Sequence, residues 1–268
     1  MACRNAYRRR TIMYGAEEIQ PEISEPIVKK SVPRLFFGVD SKIESNDLLQ
    51  NNISMFEWVL RNKIHPNFYG RSIVGEDALT KEEIRFLHMQ GTKIALIYDE
   101  ECEKKTEAEG IEVAREIEHI MSDLSIPKQT AIFLEIEYGE IATKNFMRGY
   151  AKTLMEWGYT PAFRANTDAR YGFDREFSRG MQNNKDIFSK CLIWAASPTL
   201  AEYDCMTTTH LIHPDNWKPF APSCIGREQI AVWQYGKNCH PIADDDDRMT
   251  VFNLNLVRNK DVIMQKMF

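Results

Sequence analysis

At 268 residues, with 43% hydrophobic and 27% charged residues, the chain has the composition of a soluble globular protein able to bury one large core or two small ones. A formal net charge of −5 argues against a polyanion binder, which needs Lys and Arg in surplus on one face, so no nucleic acid is expected as partner. No apolar run approaches the roughly eighteen residues of a membrane span, so no membrane is expected either.

Residues 1–33 carry a basic tract (Arg4, Arg8, Arg9, Arg10) and then GAEEIQPEISEPIVKKSVP, with three prolines and little periodicity. This reads as an N-terminal extension. No apolar stretch follows the basic residues as in a secretory signal, so the chain is expected to be cytoplasmic as synthesised and to leave the cell only by release or a non-classical route.

From Arg34 a rhythm begins, and residues 34–268 read as one barrel domain. Strand-like runs occur at 35–40, 67–74, 92–99, 130–137, 159–165, 190–196, 228–235 and 249–255. Between the first five lie segments of helical period: NDLLQNNISMFEWVLRN, TKEEIRFLHMQG, EGIEVAREIEHIMSDL and IATKNFMRGYAKTLMEWG. Gly91 and Gly158 mark left-handed C-caps, and Thr80 with Glu83 a capping box. Strand and helix in alternation predict a parallel sheet with helical crossovers, and eight strands match an α/β fold of the (β/α)8 TIM-like type. The last third is least regular, because 197–227 reads as a long loop.

The six cysteines show no C-x-x-C pair, which points to free thiols rather than zinc. His210 and His213 with Asp215 are set in a loop by Pro214, and Asp244–Asp247 lacks the pattern of a calcium loop. With no phosphate loop, dinucleotide fingerprint, serine elbow or zinc-helix motif, neither metal nor cofactor is expected.

The chemistry lies at the strand ends. In the fourth run, Ala131, Phe133, Glu135 and Glu137 share one face, and Ile132, Leu134 and Ile136 the other. The aliphatic face suits the helix layer, so the mixed face points inward and ends on two acids at the C-terminal rim, where barrel enzymes keep their chemistry. Their Cα atoms stand about 6.6 Å apart, close enough for one charge to raise the other's proton affinity. A protonated carboxyl beside an ionised one is what acid-catalysed glycosidic cleavage needs. On the first strand Asp40 shares a face with Phe36 and Gly38 and adds a third acid.

Further candidates at strand ends, as substrate-binding groups, are Tyr69 and Arg71, Tyr98 and Asp99, Arg164, Trp194, Trp233, Gln234 and Tyr235, and Asn253 with Asn255. Rings beside acids suit a sugar, whose C–H faces stack while its hydroxyls take hydrogen bonds. The plain alternative is that these acids open a solvated loop, with Asp40 a helix N-cap.

The order FFGVDS, FYGRSIVG, LTKEEIRFLHMQGTKIALIYDE, IPKQTAIFLEIEY, GYAKTLMEWGYTPAFRA, LIWAA, IAVWQYG and FNLN resembles the glycoside hydrolase-like domain of unknown function 1906, a group related to the family 25 lysozymes, across about residues 34–256. The resemblance implies a monomeric barrel acting on an amino-sugar polymer, peptidoglycan above all. It implies Glu137 as proton donor, Glu135 as a group that stabilises the transition state, orients an N-acetyl group or activates water, and Asp40 as electrostatic support. Two departures stand out. The acid pair opens with Glu135 where the pattern commonly has Asp, and Asn253 replaces the acid of the eighth strand. Either the remaining acids suffice for hydrolysis, or the fold has kept carbohydrate or cell-wall binding alone; a phage- or spore-associated structural role is a third reading.

Overall fold

The computed structural model describes residues 34–48, 52–61, 65–102, 104–137, 139–200, 214, 216–239 and 252–268. The expected extension at 1–33, the His210, His213 and Asp215 group and the Asp244–Asp247 run lie outside the described residues. Arg34–Phe268 form one compact unit.

Its elements are, in order, β1 (Phe36–Asp40), α1 (Met55–Arg61), β2 (Phe68–Ser72), α2 (Lys81–Met89), β3 (Lys93–Tyr98), α3 (Glu107–Asp123), β4 (Ala131–Ile136), α4 (Lys144–Glu156), β5 (Thr160–Ala165), α5 (Gly172–Asn183), α6 (Lys185–Phe188), β6 (Leu192–Leu200), β7 (Val232–Cys239) and β8 (Phe252–Val257). The eight strands close into a barrel in chain order. This is the α/β TIM-like fold that the alternation predicts.

The sheet is not parallel throughout. Neighbours from β1 to β7 run parallel, whereas β8 is antiparallel to both β7 and β1. Residues 240–251 are at the lower limit for a crossover, and an antiparallel pair needs none. In consequence Asn253, at the start of β8, pairs with Asp40 at the end of β1. Both occupy the same rim.

Strand alternation separates two cores. Phe68, Ala95, Ile97, Ala131, Phe133, Ala162, Trp194 and Val232 fill the barrel, while Ile132, Leu134 and Ile136 pack outward with the helices. A Cβ on Gly38 would meet the Phe68 ring at 2.3 Å, so glycine at that position lets the ring fill the interior. Val262, Ile263 and Met267 join the interior cluster, and Phe268 exchanges two backbone hydrogen bonds of 2.9 Å with Ile94 at the start of β3. The end of the barrel away from the acids is thereby plugged.

Local signals hold in part. Gly91 and Gly158 take positive φ, and the Thr80 hydroxyl accepts from the Glu83 N–H. The Glu83 carboxylate does not return the bond; it turns into the barrel wall and pairs with Arg71, so the capping box expected there is half formed. The full box belongs to Thr106 and Glu109, which open α3. α5 and α6 carry no side-chain cap, so the usual start signal is missing from this stretch. Cys102, Cys191 and Cys224 are free, but Cys239 is disulfide-bonded, which corrects the expectation of free thiols at that residue.

Candidate functional site

Most strands end their inward face in a polar residue at the rim, and those of β1, β4 and β7 meet around Arg164. From β5 its Nη2 donates to Asp40 Oδ2 and to Gln234 Oε1, both at 2.9 Å, while Nη1 reaches Glu135 Oε2 at 3.3 Å. The guanidinium lies 5.0 Å from the Trp194 ring centre, which forms the floor beneath it. Burial opposes the charge on Arg164, but Asp40 and then Glu135 more than offset it and hold the guanidinium protonated beyond its usual range.

Asp40 is saturated. Besides Arg164 it accepts from Asn253 Nδ2 at 2.7 Å and from Asn255 Nδ2 at 2.6 Å. Asn255 Oδ1 in turn accepts from the Trp194 indole at 3.0 Å, and Asn253 Oδ1 from the Asn238 N–H at 3.0 Å. Both amides are thus oriented to donate to Asp40.

Glu135 keeps 24% of its side chain exposed and opens on the cleft. Its proton affinity is raised, first by burial, against the pull of Arg164, and further by Asp40, Asp99 and Glu137. Repulsion from Glu137, the cause expected from spacing, ranks behind burial. Glu137 lies just beyond β4 and is exposed; among the described residues its carboxylate makes no hydrogen bond or ion pair. Its backbone is braced, because Glu140 accepts from the Glu137 N–H at 2.9 Å and from Lys104 Nζ at 2.6 Å.

Around these groups runs a cleft with two lobes, both lined by Glu135, Glu137, Arg164 and Lys237. The lobe over β1 to β3, about 570 Å³, adds Asp40, Lys42, Ser72, Asp99 and Asn253; Ser72 hydrogen-bonds Asp99. The lobe over β5 to β7, about 370 Å³, adds Asn166, Arg170, Tyr171, Ser197, Phe220 and Gln234.

Of the residues singled out from sequence, Glu135, Glu137, Asp40, Asp99, Arg164, Gln234 and Asn253 line this cleft. Five others do not. Tyr69, Arg71, Tyr98, Trp233 and Tyr235 have the opposite strand parity and point into the helix layer. Arg71 there pairs with Glu83 at 2.8 Å, both fully buried, and donates to the carbonyls of Ser41, Lys42 and Asp77. The Tyr98 hydroxyl donates to Glu116 on α3 at 2.9 Å, and Trp233 packs edge-on to Trp217. Trp194 points inward but is fully buried, so no ligand reaches it.

The aromatic wall of the cleft is instead Tyr171 and Phe220, the latter 45% exposed. Tyr171 is the N-cap residue of α5, in the loop after β5 and outside the strand-like run 159–165. Phe220 lies in the loop of 197–227, which has no periodicity to betray it.

No protein-family model and no curated protein matches the chain, so the assignment to domain 1906 gains no support from that side. Solved structures do match. An uncharacterized protein of B. stearothermophilus shares the fold with a TM-score of 0.68 and 22% identity, over 87% of this chain and all of that one. The catalytic domain of the endolysin ply40 from bacteriophage P40 of Listeria monocytogenes follows with a TM-score of 0.50 and 14% identity, over 86% of this chain and 96% of that one. A family GH25 lysozyme from Aspergillus fumigatus, at 0.48 and 11% with 87% and 98% covered, is too distant to add to the argument. At these identities the likeness is one of fold: this chain shares the barrel architecture of these proteins.

Proposed function

We propose that the protein is a glycoside hydrolase acting on an amino-sugar polymer, with peptidoglycan as the foremost candidate. One observation carries the reading: an exposed carboxyl, Glu137, and a half-buried one, Glu135, held 3.3 Å from the Arg164 guanidinium, stand side by side in an open cleft.

Glu137 is the proton donor. Its carboxyl borders both lobes, where a glycosidic oxygen spanning them would lie. Glu135, ionised beside Arg164, stabilises the positive charge that develops on the sugar ring. Asp40 fixes Arg164 rather than touching the substrate. Purified protein should release reducing ends from peptidoglycan, and Glu137→Gln should lower that release by about 10²- to 10⁴-fold with folding unchanged.

A second reading rests on an observation of its own. Both carboxylate oxygens of Asp40 are engaged, by Arg164, Asn253 and Asn255, and Asn253 stands where the lysozyme pattern has an acid. A barrel that binds glycan without cleaving it would accommodate this. Wall fragments retained equally by parent and Glu137→Gln, with neither cutting them, would decide for binding.

A further inference from the structure

Arg71 and Glu83 form a fully buried ion pair that the mechanism does not use, and each partner carries its bonds on to a loop. Arg71 Nε donates to Glu83 Oε2 at 3.0 Å, Nη1 to the carbonyls of Ser41 at 2.8 Å and Lys42 at 2.9 Å, and Nη2 to that of Asp77 at 2.7 Å. Glu83 Oε1 accepts from the Ser45 N–H at 2.7 Å. One pair thus grips the loop after β1 at two points and the loop after β2 at a third. A guanidinium presents its donors as a rigid planar fork, which suits three carbonyls and a carboxylate on separate segments; an ammonium does not.

The gripped loops are walls of the cleft. Ser41, Lys42 and Ile43 line, in succession, the lobe over β1 to β3. A side groove of about 230 Å³ shares Lys42, Ser72 and Asp99 with that lobe and adds Glu76 and Asp77. Residues 41–47 and 73–80 form neither helix nor strand, so no ladder of backbone bonds fixes them. A buried ion pair adds little stability over an apolar pair of the same volume, so its worth lies in the arrangement it imposes.

We infer that Arg71 and Glu83 are positioning residues of the site: they touch no substrate, and they set residues 41–45 and Asp77 in place so that Lys42 and its neighbours stand as preformed walls on the β1 to β3 side. The inference rests on the glycan reading of the cleft for what those walls bind, and adds the device that fixes them. These loops are ordered on folding rather than on binding, which preserves affinity for the substrate.

Two variants of the full chain test it. Arg71→Lys keeps a charge opposite Glu83 without the fork, and the double variant Arg71→Met, Glu83→Leu removes both charges together and strands neither. Backbone amide exchange is followed beside reducing-end release from solubilised peptidoglycan, or beside its Kd where the parent binds without cutting. In both variants, exchange in residues 41–47 and 73–79 should quicken on the order of tenfold while that of β3 to β5 stays at the parent's rate. KM, or Kd, should rise about tenfold with kcat within about twofold. Loop exchange or KM unmoved in both variants would overturn the inference. Exchange quickened throughout the barrel, or failure of both variants to fold, would make the pair a prop of stability alone and overturn it equally. A parent that neither cuts nor binds peptidoglycan would remove the glycan reading, and the exchange rates would still decide whether the pair fixes the loops.

Discussion

Arg164 on β5 and Asp40 on β1 meet at 2.9 Å across the mouth of the barrel, with 8% and 6% of their side chains exposed. One cation thus serves two carboxylates from different strands, since Glu135 shares it. Removing it with Arg164→Met strands both acids, and breaking a buried pair from one side costs about 3–5 kcal/mol. Urea denaturation at neutral pH should show a loss of that order. A loss below about 1 kcal/mol would mean that the two asparagines alone suffice to hold Asp40.

Glu135 makes stability depend on pH with a definite sign. Its folded-state proton affinity lies above the ordinary value of 4.5, so its contribution is complete below that pH and fades as pH rises through the folded value. Glu135→Gln lacks this term. Denaturation midpoints of parent and variant, compared from about pH 4 to about pH 7, should shift progressively in the variant's favour. Cleavage that needs Glu135 ionised should likewise show an acidic limb displaced above the usual carboxylate range.

The brace beneath Glu137 is asymmetric. Lys104 keeps 3% of its side chain exposed and Glu140 keeps 30%. Glu140→Gln leaves a buried ammonium without its counter-charge and should cost about 2–3 kcal/mol, whereas Lys104→Met removes the buried charge and should cost less. Thermal melts of the two single variants and the double variant would expose the difference. Glu140→Gln should also lower turnover more than it raises KM, because the Glu137 backbone loses its acceptor.

Gly70 lies beneath the site on β2. A Cβ there would stand 2.6 Å from the Asp40 Cβ and 3.1 Å from the Trp194 ring. Gly70→Ala should therefore cost about 1–3 kcal/mol by overpacking and displace Asp40 from its asparagines. Amide resonances of Asn253 and Asn255 would report the displacement, and unchanged shifts there would contradict it.

The barrel was legible because its strands are short apolar runs separated by helices with clear periodicity, and the inward parity of Glu135 followed from the aliphatic Ile132, Leu134 and Ile136 opposite. Choosing residues by strand-end position without parity failed at Tyr69, Arg71, Tyr98, Trp233 and Tyr235. Aromatic residues serve the helix interface as readily as a cleft, and Arg71 finds a buried carboxylate that lies on another element. Direction failed at β8 for a different reason. Alternation in FNLNLV reads the same both ways, so nothing local distinguishes an antiparallel strand from a parallel one. α5 went unseen because Tyr171 offers no cap and its apolar face rests on Phe173, Phe177 and Gly180, thin cues until Phe188 closes over them.

The reversed strand also changes what the molecule tolerates. Residues 240–251 join two strand ends that sit at the mouth carrying the cleft, so extra sequence inserted there need not span the height of the cylinder. Doubling such a connection costs only about 0.6 kcal/mol of closure entropy. New contacts for longer or branched polymers can be grafted at that point while the wall of the cylinder stays intact.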